Sequence, residues 1–232
     1  MAKPNPKSGT ITEADIAHHR GSDRMNERCE MVASQIEARG IHNRSVLEAL
    51  RRVERHRFVQ PQDQEFAYRD GPLSIGQGQT ISQPYIVACM TEAIDPQPAD
   101  RILEIGTGSG HQTAILAELV AEVFTIENIA GFVKRTEPVL AQFGYDNIHL
   151  KLGDGHYGWP EAAPFDKIIV TAAPTKLPKD LLDQLKPDGQ MIVPIGRRHQ
   201  ELMLVRGTPF GFQEERLMPV RFVPMVNRLN MG

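Results

Sequence analysis

Arg101-Ile-Leu-Glu-Ile-Gly-Thr-Gly-Ser-Gly-His111 decides the fold: a short apolar run enters three alternating glycines, Gly106, Gly108 and Gly110, and then a helical stretch, Gln112 to Leu119. Glycines at a strand-to-helix junction let the backbone turn sharply and approach a ligand closely, and a helix start offers unsatisfied N–H groups. The pattern points to a nucleotide-like ligand, with plain turn formation as the alternative for the same glycines. A dinucleotide fingerprint places its third glycine three positions after the second. Here the interval is two and position 111 is His, which counts against a nicotinamide dinucleotide.

Downstream the same rhythm of short apolar runs and helical connections repeats at Val123 to Ile126, Ile148 to Leu152, Lys167 to Val170 and Met191 to Val193. Five such runs predict a parallel sheet wrapped by helices. Leu202 to Val205 and Val220 to Val223 are also strand-like, and the Gly207, Pro209 and Gly211 between them read as a turn. The expected fold class is α/β, a mostly parallel seven-stranded sheet with helices on both faces and an antiparallel C-terminal strand pair. Pro138 falls within the amphipathic segment Phe132 to Phe143 and predicts a kink.

Upstream, Met25, Cys29, Val32 and Ile36 recur at helical spacing before Gly40, and Val46, Leu50 and Val53 repeat the pattern after Asn43. Phe58 to Thr80 lacks periodicity and reads as a long loop carrying a short strand, the kind of segment that is more often functional than not. Pro84 starts a further helix through Ile86, Met90 and Ile94. The expected organisation is a flexible tail, 1–21, before one domain, 22–232, divided into a helical and substrate-loop part, 22–95, and a cofactor-binding sheet with C-terminal strands, 96–232. His18 and His19 fall in the tail and lack further ligands at metal-binding spacing.

The chain has 232 residues, with 26 Lys+Arg against 29 Asp+Glu and a net charge of −3. That balance argues against a protein that coats nucleic acid. No apolar run approaches a membrane span, and the first 24 residues lack an apolar signal core, so a cytoplasmic protein is expected. Cys29 and Cys89 have no paired spacing, which argues against a disulfide framework or a zinc ribbon. His42, His56, His149, His156 and His199 likewise show no ligand spacing and read as surface or capping residues.

Two further features belong with the glycine loop. Glu127 ends the second run, 21 positions after Gly106, where a carboxylate can accept hydrogen bonds from both hydroxyls of a ribose. Gly153-Asp154-Gly155 follows the third run, and an aspartate between small residues suits either an adenine-facing loop or a tight turn. All three groups emerge from one edge of the expected sheet, the edge at which open α/β sheets bind ligands.

Over about Met31 to Val226 the chain resembles the protein-L-isoaspartate (D-aspartate) O-methyltransferase family. The resemblance rests on Leu73-Ser-Ile-Gly-Gln-Gly-Gln-Thr-Ile-Ser-Gln-Pro-Tyr85, Ile102-Leu-Glu-Ile-Gly-Thr-Gly-Ser-Gly110, Phe165-Asp-Lys-Ile-Ile-Val-Thr-Ala-Ala-Pro174 and Leu185-Lys-Pro-Asp-Gly189. The glycine motif is common to many methyltransferases, whereas Gln-Thr-Ile-Ser-Gln-Pro is much more specific. The resemblance implies a Rossmann-like S-adenosylmethionine-dependent methyltransferase fold and a repair enzyme; a monomer without metal is expected. Such an enzyme methylates the free α-carboxylate of L-isoaspartyl residues in damaged proteins and peptides, leaving S-adenosylhomocysteine. The labile ester then reverts through a succinimide towards aspartate.

By the same resemblance Ser82 is the active-site serine, with Thr80 and Ile81 beside the substrate; Arg221, on the expected C-terminal strand, is a candidate contact for a substrate carboxylate. Glu104, Gly106, Thr107, Gly108, Ser109, Gly110, Glu127, Asp154, Gly155 and Thr171 surround the cofactor. Read without it, Ser82 is a capping or turn hydroxyl; the alternative for Arg221 is a solvated strand charge. The loop around Ser74 to Ser82 and the strand Arg221 to Pro224 are expected to hold an extended peptide. The sequence departs from the family pattern at His111, where Tyr is frequent, and at Glu54, where Pro is expected.

The implied chemistry fits the residues. A carboxylate is already ionised at neutral pH and attacks a sulfonium methyl without a general base, so catalysis rests on positioning. A hydrolase would require an activated nucleophile, and the chain has no G-x-S-x-G elbow. The competing readings are a methyltransferase for a small molecule or RNA, a non-catalytic S-adenosylmethionine sensor and, third, an NAD-dependent oxidoreductase.

Overall fold

A computed structural model describes residues 24–226; the tail 1–21, with His18 and His19, lies outside the described residues. Helix α1 (Met25–Glu30) continues through a π-helical turn, Met31–Ile36, and a 3-10 turn, Glu37–Arg39, buries Met31, Val32 and Ile36, and stops at Gly40, whose φ is +94°. Helix α2 (Arg44–Arg52) starts where the Asn43 side chain accepts the Val46 N–H at 3.2 Å, and it buries Val46, Leu47 and Leu50.

The expected long loop is more ordered than its composition suggests. Two 3-10 turns, Arg55–Phe58 and Pro61–Phe66, precede an antiparallel hairpin of β1 (Leu73–Gly76) and β2 (Gln79–Ile81). Its turn residues Gln77 and Gly78 both have positive φ, +53° and +72°, the conformation that matches the twist of a two-residue hairpin. Ile75 and Ile81 anchor the hairpin in the core, and helix α3 (Pro84–Ala93) begins three residues after Ile81.

The main sheet contains β3 (Arg101–Ile105), β4 (Glu122–Glu127), β5 (Ile148–Leu152), β6 (Phe165–Val170), β7 (Leu185–Ile195), β8 (Gln200–Thr208) and β9 (Gly211–Val220), in the order β5-β4-β3-β6-β7-β8-β9. The first five are parallel, while β8 runs antiparallel to β7, and β9 to β8. From β3 the chain steps outward to β4 and β5 and then returns to β6 on the other side of β3. That reversal opens a crevice at the carboxyl end of β3.

Both faces are covered. Ile102 on β3 and Ile169 on β6 pack with Met90 of α3 and Leu116 of helix α4 (His111–Ala117). Leu103, Ile105, Ile168 and Val170, pointing the other way, pack with Leu181 and Leu182 of helix α6 (Lys179–Leu182). Strands buried on two faces read as continuous apolar runs, and for this reason β3 was legible to the residue. Helix α5 (Ala130–Gln142) runs through Pro138, which is exposed and cannot donate a helical hydrogen bond.

The expected strand Val220 to Val223 requires correction, because the last strand is Gly211–Val220 and the chain leaves the sheet at Arg221. The turn shrinks to Pro209 and Phe210 between β8 and β9. The Gln200 side chain takes over from the ladder, accepting the Phe222 N–H at 2.6 Å and donating to the Phe222 carbonyl at 3.0 Å. Beyond it, Val223 and Met225 bond the backbone of Ala173. Residues 221–226 thus form a strap across the crevice, and the peptide-binding strand expected at Arg221 to Pro224 is absent.

Candidate active site

The crevice is floored by the Gly106–Ser109 loop. Gly106 has φ +96°, and a Cβ there would lie 2.5 Å from Thr171 Oγ1; Gly110 has φ +87°, and its Cβ would lie 2.5 Å from Thr136 Cγ2. Both glycines are therefore required by conformation and by packing. Thr171 Oγ1 donates to the carbonyls of Ile105 (2.9 Å) and Gly106 (2.7 Å), and Thr136 Oγ1 donates to the carbonyl of Gly108 at 2.8 Å. Thr136 had no sequence signal, since a threonine on a helix is ordinarily a surface residue.

At one side of the loop lies Glu127, 5% exposed, at the end of β4. Oε2 accepts the Gly108 N–H at 2.8 Å and Oε1 the Ile129 N–H at 2.9 Å. Burial raises the carboxyl's pKa and the backbone donors pull it back. Each oxygen keeps a lone pair for another donor. Asp154 Oδ1 accepts the backbone N–H of His156 at 3.0 Å and lies 2.8 Å from its Nδ1, whereas Oδ2 is buried without a partner. A buried carboxylate oxygen left unpaired is costly, and it marks a place where a ligand donor fits.

The structure brings Thr80, Ile81, Ser82, Gly106, Thr107, Gly108, Ser109, Glu127, Gly155 and Thr171 to one cleft wall, joined by Val223 to Val226 of the strap. Glu104 is not among these residues. It is fully buried behind the loop, where Oε2 accepts from Thr113 (2.5 Å) and Thr125 (2.6 Å), and Thr107 Oγ1 lies 2.7 Å from Thr125 Oγ1. Burial pushes its carboxyl up to about 8. Gly110 is also behind the wall, and Asp154 is not on it, although its neighbour Gly155 is. His111 and Gln112, which the motif reading left out, line the cleft.

A second cavity opens beside the first and shares Thr80, Ser82, Thr171 and Val223 with it; Arg221, Tyr85 and Arg39 line its other side. Arg221 is exposed and outside the sheet, so its reading as a strand charge does not hold. Arg39 is stacked over the Tyr85 ring at 3.6 Å and paired with Asp70 at 3.1 Å. Ser82 is half-buried and makes no hydrogen bond among the described residues, and the N-cap of α3 is Gln83. The capping alternative for Ser82 therefore falls away. Of the other histidines, His56 meets Tyr68 Oη at 2.7 Å and His149 stacks on Phe124. Among the described residues no cluster of three or more His, Cys, Asp or Glu is placed to hold a metal ion.

A crevice at the strand-order reversal, floored by alternating glycines and flanked by an anchored carboxylate, defines the class as a Rossmann-like methyltransferase. The family model for protein-L-isoaspartate(D-aspartate) O-methyltransferase matches residues 26–230. A protein-L-isoaspartate O-methyltransferase from Pelotomaculum thermopropionicum is 49% identical over 206 residues, covering 88% of this chain and 90% of the relative. A solved protein-L-isoaspartate O-methyltransferase superposes with a TM-score of 0.76 at 26% identity, over 84% of this chain and 65% of that one. Another, from Plasmodium falciparum and in complex with S-adenosyl-L-homocysteine, also gives a TM-score of 0.76 at 24% identity, covering 86% of this chain and 98% of that one, which supports the fold.

The chain belongs to the protein-L-isoaspartate(D-aspartate) O-methyltransferase family. It is a carboxyl methyltransferase that acts on isoaspartyl residues, as its motifs implied.

Proposed function

We propose that the glycine-floored cleft holds S-adenosylmethionine and that the adjoining cavity presents the isoaspartyl segment, the two meeting at Ser82. The observation that carries this reading is the position of Ser82, on the wall of both cavities with an uncommitted hydroxyl. The donor set fits the cofactor: Glu127 has acceptor capacity for two ribose hydroxyls, and the orphaned Asp154 Oδ2 suits an amino group. When bound, the sulfonium supplies the transferable methyl group.

Ser82 donates a hydrogen bond to the substrate carboxylate and fixes which oxygen faces the cofactor cleft. It holds no proton that the reaction must move, because the acceptor is ionised before it binds. Thr80 and Ile81, on the same hairpin strand, border the isoaspartyl backbone, and Arg221 meets acidic groups at the cavity mouth. Thr171 and the strap keep water from the junction, which strengthens the attraction between carboxylate and sulfonium. Glu104, Thr107, Ser109 and Gly110 shape the loop from behind or along its floor.

The reading includes one domain over 22–232, working as a monomer in the cytoplasm on damaged proteins and peptides, without metal, nucleic acid or membrane. The near-neutral charge supports it. The test is methyl transfer from labelled S-adenosylmethionine to two peptides differing only in L-isoaspartate or L-aspartate at one position. Base-labile methylation of the isoaspartyl peptide alone is expected; labelling of both, or of neither, overturns the reading.

A further inference from the structure

His111 is 2% exposed, yet the residue lines the cofactor cleft. Nδ1 is sealed without a hydrogen-bond partner, and the edge of Phe58 packs on the ring with centroids 5.5 Å apart. Three residues before Phe58, in the same 3-10 turn, Arg55 is completely buried. Its Nε donates to the Ala67 carbonyl at 2.8 Å, while Nη1 and Nη2 are sealed without partners. Phe58 thus connects the turn of a buried guanidinium to a buried imidazole, each with unspent polar atoms, and the Arg55 charge reaches the ring.

We propose that His111 is a cofactor-binding residue, held by the Arg55 charge as the neutral tautomer that carries its proton on Nε2 and donates it to the carboxylate of the methyl donor's amino-acid end. The inference rests on the functional reading above. A guanidinium has only donors, so the imidazole edge nearest its charge is favoured as a bare lone pair, which leaves the proton on the other nitrogen. Burial, with the Arg55 charge, also holds His111 well below its ordinary value, so the ring stays neutral at working pH. Glu127 offers acceptors to the ribose hydroxyls, and the carboxylate elsewhere on the same molecule requires a donor.

The tautomer is read directly from ring-nitrogen NMR shifts of 15N-histidine-labelled wild-type protein, with and without S-adenosylhomocysteine. A protonated-type Nε2 and a bare-type Nδ1 are expected, and the reverse pattern overturns the inference even if every variant fails to fold. Calorimetric binding of S-adenosylhomocysteine is expected to weaken about tenfold or more in His111→Phe. His111→Gln, which places an amide donor near the Nε2 position, should restore most of the affinity. Unchanged binding in a folded His111→Phe protein sinks this inference alone. Failure of the wild type to bind sinks the functional reading beneath it.

Discussion

The two halves of the active site are built on opposite principles. Around the glycine loop the key side chains are fixed by the backbone: Thr171 and Thr136 hold loop carbonyls, and Glu127 takes backbone N–H groups on both oxygens. On the acceptor side, Ser82 is free and Arg221 is exposed, while the neighbouring wall is a strap held by the side chains of Gln200 and Asn128 and a few backbone bonds. A cofactor of fixed shape rewards a rigid cradle, because preorganisation removes ordering cost. A damaged site in variable sequence surroundings needs free groups and backbone contacts instead.

Substitutions should separate the two halves, with the largest effect in the cradle. Gly106→Ala forces a left-handed alanine whose Cβ meets Thr171 Oγ1 at 2.5 Å, at a cost of about 1–3 kcal/mol in strain before any clash. Loss of S-adenosylhomocysteine binding by calorimetry, with a lowered melting temperature, is the expected result. Ser82→Ala should reduce kcat/KM for an isoaspartyl peptide by roughly 10- to 100-fold, the value of a hydrogen bond to a charged group. Its melting temperature and cofactor affinity should stay unchanged. An equal loss of cofactor affinity in both variants would erase the distinction.

The cradle also gives stability a pH dependence, through Glu104. The Glu104 carboxyl is pushed up to about 8 from an ordinary value of 4.5, chiefly by burial, so the folded chain holds that proton more tightly than the unfolded one. The resulting stability is fully present below pH 4.5 and is lost as pH rises through about 8. Urea titrations of wild type and Glu104→Gln across that window should give a falling curve for the first and a flatter one for the second. The smallest effect belongs to the strap: Gln200→Ala should raise the peptide KM by about threefold and cost about 1 kcal/mol of stability, measured by steady-state kinetics and denaturation.

What was legible in the sequence follows the same division. Strand β3 and its glycines announce themselves because a strand buried on both faces is apolar throughout and its turn tolerates little but glycine. Strand β9 was placed too late in the chain because Gln213, Glu214, Glu215 and Arg216 are all exposed on an edge, leaving no apolar alternation to read. Ser82 and Thr80 came from the family resemblance, and Arg221 from a strand that the structure does not form. Periodicity could not find them, since a side chain left free for substrate has no packing signature. His111 was noticed as a departure, but its sealed Nδ1 and its place beside Arg55 depend on tertiary contacts between segments some 50 residues apart.

The strap separates completion of the sheet from completion of the pocket. Val223 to Val226 complete the cleft wall through bonds to Ala173 and a side-chain bond from Asn128 to the Val226 carbonyl. These residues lie outside the seven strands, so the sheet can be complete while the pocket is still unfinished. Severing the chain just after Val220 would leave every strand in place and still remove one wall of the cleft.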